Sequence, residues 1–327
     1  MILDKITNRI LGFLIRRFPN FIEYLVTKLL FTFKYVPQIF KDTKNYEIWE
    51  SLGFHVTQAH FYQPLPELLK LDPSIWQIEN PMNGIEVSRD GQISLMKQLV
   101  INFKNEFNEF QYESPSPTIP WVYYTNNNNF TSIDGEMYYG IIRNFKPNLI
   151  IEVGSGFSSF IANKALQTNQ SGKLICIEPY PRDFLLNSPP KDVQLIQKRL
   201  EEIDLQFFQH LSENDILFID STHVVKLGSD VEYLFFHVLP CLNKGVIIHF
   251  HDIFYPFNYP EKWAKNQRYF WNEQYFLQTF LMYNNSYKIL LCNSMVNHWE
   301  TPYLKSNLKS YRQEKENPGS IWLIKVQ

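Results

Sequence analysis

A short apolar run that ends in a glycine turn is the feature that most constrains this chain. Residues 148–159 read Asn-Leu-Ile-Ile-Glu-Val-Gly-Ser-Gly-Phe-Ser-Ser, which is typical of a strand, a tight turn and the start of a helix. Gly154 and Gly156 permit backbone angles and a close ligand approach that a Cβ would block. Glu178 ends the next apolar run, 22 residues after Gly156, about where an acidic side chain takes ribose hydroxyls. The pattern predicts a phosphate or nucleoside pocket.

From about residue 131, apolar runs of strand length alternate with segments of helical periodicity. The predicted strands are residues 149–153, 174–177, 194–196, 216–219, 246–250, 287–291 and 320–326. This alternation predicts a parallel sheet that is covered by helices on both faces. No helix-periodic stretch of the earlier kind separates the last two strands, so we expect them to pair antiparallel at the sheet edge.

The first part of the chain has a different pattern. Residues 92–107 carry apolar side chains at helical spacing, residues 114–120 are rich in proline and serine, and residues 126–129 are four asparagines that we expect to form an exposed loop. We therefore predict a helical, irregular N-terminal region over residues 1–130 and a separate α/β domain over residues 131–327.

Charge and cysteine usage limit the partners and the compartment. A net charge of −2 at pH 7 gives no reason to expect a nucleic-acid partner. Cys176, Cys241 and Cys292 lack metal-binding spacing, and we expect buried, reduced thiols, which favours a cytoplasmic location.

The N-terminal segment is apolar but basic. Residues 1–41 contain seven Lys or Arg and two Asp or Glu, and no uncharged run approaches the roughly 20 residues that span a bilayer. Lys5, Arg9 and Arg16 share one face of a predicted helix. Such a helix either packs on its own protein or makes peripheral contact with a membrane surface. Packing is the favoured alternative, and flotation with anionic liposomes at low salt distinguishes the two.

Polar side chains close two of the predicted strands at their carboxyl ends. Asp220 and His223 follow strand 216–219, and His251 and Asp252 follow strand 246–250. Open α/β sheets bind ligands at this edge, so Asp220 and Asp252 should converge. Two facing carboxylates repel unless a cation, a proton or a base lies between them. Carboxylates suit magnesium or manganese; a turn-capping Asp220 and a surface His223 are the structural alternatives.

These motifs resemble those of the class I S-adenosylmethionine-dependent methyltransferases. The segments that carry the resemblance are Glu-Val-Gly-Ser-Gly at 152–156, Glu-Pro-Tyr-Pro at 178–181, Phe-Ile-Asp-Ser-Thr-His at 218–223 and His-Phe-His-Asp at 249–252. Residues 61–66 and 91–92 also look like the N-terminal half of bacterial members. The resemblance implies an α/β fold with a Rossmann-like, doubly wound, seven-stranded, mostly parallel sheet whose last strand is antiparallel, plus a helical N-terminal region.

The resemblance also implies a cofactor site. S-adenosylmethionine would lie over the glycine turn, with Glu152 organising its methionine end and Glu178 on its ribose. The implied cofactor-binding residues are Glu152, Gly154, Ser155, Gly156, Ser158, Ser159, Glu178, Pro179 and Asp220. Ser158 stands where the family turn usually has a third glycine. An NAD(P)-dependent oxidoreductase and a non-catalytic binding protein are the alternative functions.

The strand-end groups are similar to those of metal-dependent O-methyltransferases that act on catechols and macrolide sugars. This implies that Asp220, His251 and Asp252 hold magnesium or manganese. It also implies that His223 and Asp220 are catalytic, with His223 as the base for an acceptor hydroxyl. His251 replaces the usual acid, which favours manganese, another transition metal or no metal. The expected acceptor is a small sugar or glycan-like molecule. The aromatic residues from position 254 onwards, including Trp263, would suit its ring, and an ordered loop with only a structural role is the equal alternative.

Overall fold

The computed structural model describes residues 16–33, 35–36, 39, 42–57, 59–114, 121–187, 189–311 and 317–327. These residues form two compact units that divide between Glu67 and Leu68. The division differs from the expected boundary at residues 130/131. Helix α3 (Arg89–Phe107) explains the difference, because it buries Met96 and Leu99 within the unit that contains the sheet.

The first unit contains two described helices, α1 (Pro19–Phe33) and α2 (Thr43–Ser51). Asp42 caps α2 by accepting a hydrogen bond from the Lys44 backbone nitrogen at 2.9 Å. The predicted basic helical face falls largely on residues 1–15, which lie outside the described residues, so membrane contact stays a prediction. No helix in the described ranges is long and apolar enough to cross a membrane.

The second unit is built on one sheet. Its strands are β1 (Leu149–Val153), β2 (Lys173–Ile177), β3 (Val193–Ile196), β4 (Ile216–Ile219), β5 (Ile247–Phe250), β6 (Tyr287–Cys292) and β7 (Ile321–Lys325). Its helices after α3 are α4 (Asp134–Phe145), α5 (Phe157–Asn169), α6 (Asp183–Leu186), α7 (Leu205–Phe208), α8 (Asp230–Tyr233), α9 (Leu239–Cys241), α10 (Glu273–Leu281) and α11 (Asn293–Asn307). A π-helical segment, Leu234–Val238, joins α8 to α9.

The strand order is β3-β2-β1-β4-β5-β7-β6. Strands β1 to β5 pair in parallel, and β7 runs antiparallel to both β5 and β6. This confirms the predicted fold class. The side chains of β4 show why both faces are covered: Ile216 and Phe218 enter one core layer, and Leu217 and Ile219 enter the other.

One expectation about the elements was wrong. A helix, α11, does separate β6 from β7; Pro302 and a non-helical Glu300 interrupt it, which hides its periodicity in the sequence. The expected antiparallel pairing of the last two strands at the sheet edge is confirmed: β6 is the edge strand, and β7 lies between β6 and β5. The helical stretch between β3 and β4 is short, because α7 has four residues and follows a 3₁₀ turn at Leu200–Glu202.

Candidate active site

The two glycines of the β1–α5 turn have different roles. Gly154 has φ +80°, and a Cβ there would lie 1.7 Å from the backbone oxygen of Asp220. Its nitrogen donates a hydrogen bond to the Ile177 oxygen at 3.0 Å. Gly156 has extended backbone at φ −172°, and a Cβ there would meet no atom within 4 Å. Only Gly154 is therefore required by the packing of the protein itself, because β1 and β4 approach each other through it.

Glu152 lies beneath this turn and is fully buried. Tyr138 and Ser159 donate hydrogen bonds to its carboxylate, and the Gly156 nitrogen donates to the Ser159 hydroxyl at 3.2 Å. Burial raises the pKa of Glu152 to about 7 despite these hydrogen bonds. Glu152 and Ser159 thus support the turn from below and do not line either of the two cavities that flank it.

Two cavities flank the turn at the carboxyl ends of β1, β2 and β4. The first, of about 430 Å³, is bounded by Gly154, Glu178, Pro179 and Asp220 among others. The second, of about 240 Å³, is bounded by Ser155, Gly156, Ser158, Glu178 and Asp220 among others. Seven of the nine expected cofactor residues therefore line the two cavities. They lie where the strand order reverses between β1 and β4, which is the usual ligand position in such sheets.

Polar groups in these cavities fit a polar ligand. Glu178 accepts hydrogen bonds from the Ser155 nitrogen at 3.3 Å and the Tyr180 nitrogen at 2.8 Å, which turn its carboxylate towards both cavities. The hydroxyls of Ser155 and Ser221 are buried and have no hydrogen-bond partner among the residues that the structure describes. Buried polar atoms rarely stay unpaired, so these hydroxyls fit a site that a ligand completes.

Four side chains meet at the ends of β4 and β5, and we call Asp220, His223, His251 and Asp252 the acid–histidine cluster. The His223 Nε2 atom lies 3.3 Å from Asp220 and 3.5 Å from Asp252. The His251 Nδ1 atom lies 3.4 Å from Asp220 and 3.5 Å from Asp252. The expected convergence of the two aspartates is therefore present, with one imidazole on each side of them.

Two buried acids that the sequence analysis missed hold the outer nitrogens of these imidazoles. Glu273, at the start of α10, lies 2.9 Å from the His223 Nδ1 atom. Asp134, at the start of α4, lies 3.6 Å from the His251 Nε2 atom. The side chain of Asp134 also accepts hydrogen bonds from the Gly319 and Ser320 nitrogens at 3.0 and 3.1 Å. Each histidine thus lies between an outer acid and the Asp220–Asp252 pair.

The loop that carries His223 is clamped to α10. His223 has φ +59°, and its backbone oxygen accepts hydrogen bonds from the nitrogens of Asn272 and Glu273. The Asn272 side chain in turn accepts a hydrogen bond from the Val225 nitrogen at 2.7 Å. The ring of Trp271 packs on the His223 ring with centroids 4.3 Å apart. These contacts fix the imidazole in one orientation and exclude the surface position considered for it.

The carboxylates favour protonated imidazoles. Burial by itself lowers the pKa of His223, but hydrogen bonds to Asp220 and Glu273 outweigh it and raise the pKa to about 10. Burial is likewise outweighed at His251, where Asp252 and Asp220 hold the pKa well above its usual range. Burial alone would raise the pKa of Asp220, yet the two histidines hold it well below its usual range. With no further positive charge, both imidazoles are protonated at neutral pH.

The cluster also offers a metal-type donor set. One donor atom each from Asp220, His223 and Asp252 lie within 4.8 Å of one another. This set shares the two aspartates with the expected metal ligands but contains His223 in place of His251. Mixed carboxylate and imidazole donors suit manganese or another transition ion better than magnesium.

A third cavity, of about 240 Å³, opens on the other side of the cluster, and we call it the acceptor cavity. Asp134, His251 and Asp252 form its acidic end, while His223 does not line it. The asparagine loop at 126–129 forms a wall, and Asn128 and Asn129 are exposed as expected. Asn127 is 6% exposed, because its side chain bonds the backbone of Tyr124 and Phe130 to close the turn.

Comparison with known proteins gives the same class. A family model described as a methyltransferase domain matches residues 151–253. An uncharacterized protein of Archaeoglobus fulgidus is 34% identical over 169 residues, which cover 48% of this chain and 74% of that protein. With the strand order of the sheet, these matches show that the chain belongs to the class I S-adenosylmethionine-dependent methyltransferases. It is therefore an enzyme, and the nicotinamide-dependent and non-catalytic alternatives are set aside.

Solved structures include distant likenesses. The O-methyltransferase TomG from Streptomyces achromogenes, solved in complex with SAM, is 13% identical over 71% of this chain and 90% of its own, with a TM-score of 0.39. An O-methyltransferase from Bacillus cereus, in complex with SAH, is 14% identical over the same shares, with a TM-score of 0.37. At this distance they add nothing about the chemistry of this chain.

Proposed function

We propose that this enzyme methylates a hydroxyl oxygen of a small sugar or glycan-like acceptor. The observation that carries the proposal is the position of Asp220. It lines both cavities beside the glycine turn, which we call the cofactor cavities, and it also contacts both histidines of the acid–histidine cluster. A hydroxyl needs help to lose its proton before it attacks, and an acid–histidine cluster supplies it. Neutral amides and Trp263 in the acceptor cavity suit a sugar ring.

The test of this proposal is product analysis. The purified enzyme is incubated with methyl-labelled S-adenosylmethionine and small sugars, phenols and amines, and the products are assigned by mass spectrometry and NMR. We expect methyl ethers on sugars. Labelled N-methyl products, with unlabelled sugars, would contradict oxygen transfer while leaving the methyltransferase class intact.

The proposal gives roles to the residues that line the two cavities beside the glycine turn. Bound S-adenosylmethionine supplies an electrophilic methyl group, and transfer depends mainly on the alignment of that group with the acceptor oxygen. Glu178 would bind the ribose hydroxyls, since its carboxylate lines both cavities. Ser155 and Ser221 would donate or accept the hydrogen bonds that their buried hydroxyls lack.

We expect Glu178→Ala to weaken binding of S-adenosylhomocysteine by about 1–3 kcal/mol, the scale of hydrogen bonds to a charged group. Isothermal titration calorimetry measures this. Glu202→Ala is the matched control. Glu202 belongs to the neighbouring 3₁₀ turn, and its carboxylate does not line either cavity. Unchanged affinity in a folded Glu178→Ala protein would remove the ribose assignment.

Asp220 and Asp252 would hold a divalent cation, with an imidazole of the cluster as a third ligand. Such a cation lowers the pKa of a bound hydroxyl. A divalent cation fits this site by its charge, because carboxylates outnumber imidazoles around it. An imidazolium at His223 and a cation would compete for the same two carboxylates. His223 can accept the acceptor's proton only when its imidazole is neutral, that is, when the cation has taken the two carboxylates and the imidazolium has lost its proton.

We expect Asp252→Asn to lower the affinity for Mn²⁺ by about tenfold to a hundredfold, since loss of a buried charged partner costs a few kcal/mol. Electron paramagnetic resonance of free Mn²⁺ gives the affinity without any need for turnover. Asp192→Asn is the control; it changes an exposed residue next to the amino end of β3, at the opposite edge of the sheet. Equal Mn²⁺ affinity in all three proteins, with full activity in excess chelator, would leave a purely acid–base site.

A further inference from the structure

The lining of the acceptor cavity differs in charge between its buried and its exposed parts. Asp134 and His251 are buried and lie with Asp252 in what we call the inner end, whereas Lys262, next to Trp263, is exposed and belongs to the outer wall. Resting on the proposed function, we propose that the acceptor is an acidic sugar, a single ring that carries a carboxylate or phosphate. Its anionic group lies at Lys262 and the hydroxyl to be methylated lies at the Asp252 end.

Lys262 supplies the charge that this assignment needs. The neighbouring Lys265 pairs with Glu261 at 2.6 Å, so that carboxylate is already engaged. Within the described ranges, no acidic side chain lies within ion-pair distance of the Lys262 ammonium. A cation without a partner at the wall of a small cavity attracts an anionic group of the ligand.

The neutral wall is also rich in unengaged donors. The side-chain amides of Asn128, Asn129 and Asn317 line the cavities here and donate no hydrogen bond to any residue that the structure describes. Asn127, by contrast, uses its amide on two backbone oxygens to hold the turn. Three idle amides beside a lysine form a donor-rich surface that suits ring hydroxyls and an oxyanion.

The inner end favours the opposite chemistry. Asp134 and Asp252 present carboxylate oxygens, which accept hydrogen bonds from hydroxyls. The carboxylates at this end outnumber the two imidazolium groups, so the end stays negative and repels an anion. An acidic sugar therefore enters in one orientation, with the anion outward. A carboxylate or phosphate thus selects which hydroxyl reaches the acid–histidine cluster.

Size limits the acceptor to about one ring. The cavity volume of about 240 Å³ lies below the roughly 300–1,000 Å³ of sites for drug-sized ligands. Trp263 lines it and is held in place by edge-to-face contacts with Phe254 at 5.1 Å and Trp271 at 5.0 Å. A fixed indole beside polar groups is suited to a pyranose ring.

The proposal is tested by binding, in the full chain saturated with S-adenosylhomocysteine. Calorimetry compares methyl glucuronide, glucose 6-phosphate and the neutral methyl glucoside against the native protein, Lys262→Met and Lys265→Met. We expect the native protein to prefer at least one anionic sugar by roughly tenfold, the effect of one charge-assisted hydrogen bond. Lys262→Met should abolish that preference and leave the glucoside unaffected, whereas Lys265→Met should retain it.

Comparison of methyl glucuronide with glucose 6-phosphate shows whether the site recognises a carboxylate or a phosphate. Equal binding of the glucoside and both anionic sugars, or a preference that survives Lys262→Met, overturns the proposal. So does the absence of binding by all three sugars. Methylation of a neutral sugar by the same protein preparations, supplied with S-adenosylmethionine in place of S-adenosylhomocysteine, would then show that the proposed methyltransferase function stands without an acidic acceptor.

Discussion

Replacing His223 by alanine should lower turnover by about 10²–10⁴-fold while leaving the affinity for S-adenosylhomocysteine nearly unchanged. His223 faces Asp220 and Asp252 through one nitrogen and Glu273 through the other, so its loss removes the group that would take the acceptor's proton. It does not line either cofactor cavity. Single-turnover kinetics with saturating cofactor measure the chemical step, and calorimetry measures cofactor affinity.

Two further variants separate catalysis from folding. His223→Gln keeps a polar side chain in the same position and should remain slow if proton removal is the role. His210→Ala removes an exposed histidine after α7 and should behave as the native enzyme. Near-normal turnover in folded His223→Ala would make this histidine structural, and the proton would then pass to a cation-bound hydroxide or to water.

The sheet could be predicted from the sequence because its signals are local. Each parallel strand is a short run of β-branched and apolar residues that fills both faces, as β4 shows. Helix α11 could not be predicted in this way, because its proline and the kink at Glu300 interrupt the apolar spacing. Helical periodicity is a poor guide where tertiary packing, and not an amphipathic stripe, holds the helix.

Some residues of the candidate site could likewise be placed from the sequence, and others could not. Residues that follow strands directly, such as Asp220 and Asp252, could be placed at one sheet edge from topology alone. Asp134 and Glu273 begin helices distant in sequence from the histidines that they contact, and the sequence near them carries no sign of that contact. The choice between His223 and His251 for each role also depends on side-chain orientation, which a sequence does not contain.

Replacing Gly154 by alanine should destabilise the fold by about 2–5 kcal/mol and abolish measurable cofactor binding. The added Cβ would lie 1.7 Å from the Asp220 backbone oxygen, so β1 and the start of the Asp220 loop must separate. The positive φ of +80° adds backbone strain for any residue with a Cβ. Urea unfolding measures the stability, and calorimetry with S-adenosylhomocysteine measures the binding.

Gly156→Ala is the matched control, and it should affect cofactor binding but hardly affect stability. Gly156 has extended backbone and its Cβ would enter open space, so the free energy of unfolding should fall by no more than about 1 kcal/mol, the scale of a poorer N-cap for α5. That open space belongs to the 240 Å³ cavity beside Ser155, so cofactor affinity should still fall. If Gly154→Ala were as stable as Gly156→Ala, the close approach of β1 to Asp220 would not be needed for folding. If Gly156→Ala bound the cofactor normally, the ligand would not pass over this turn.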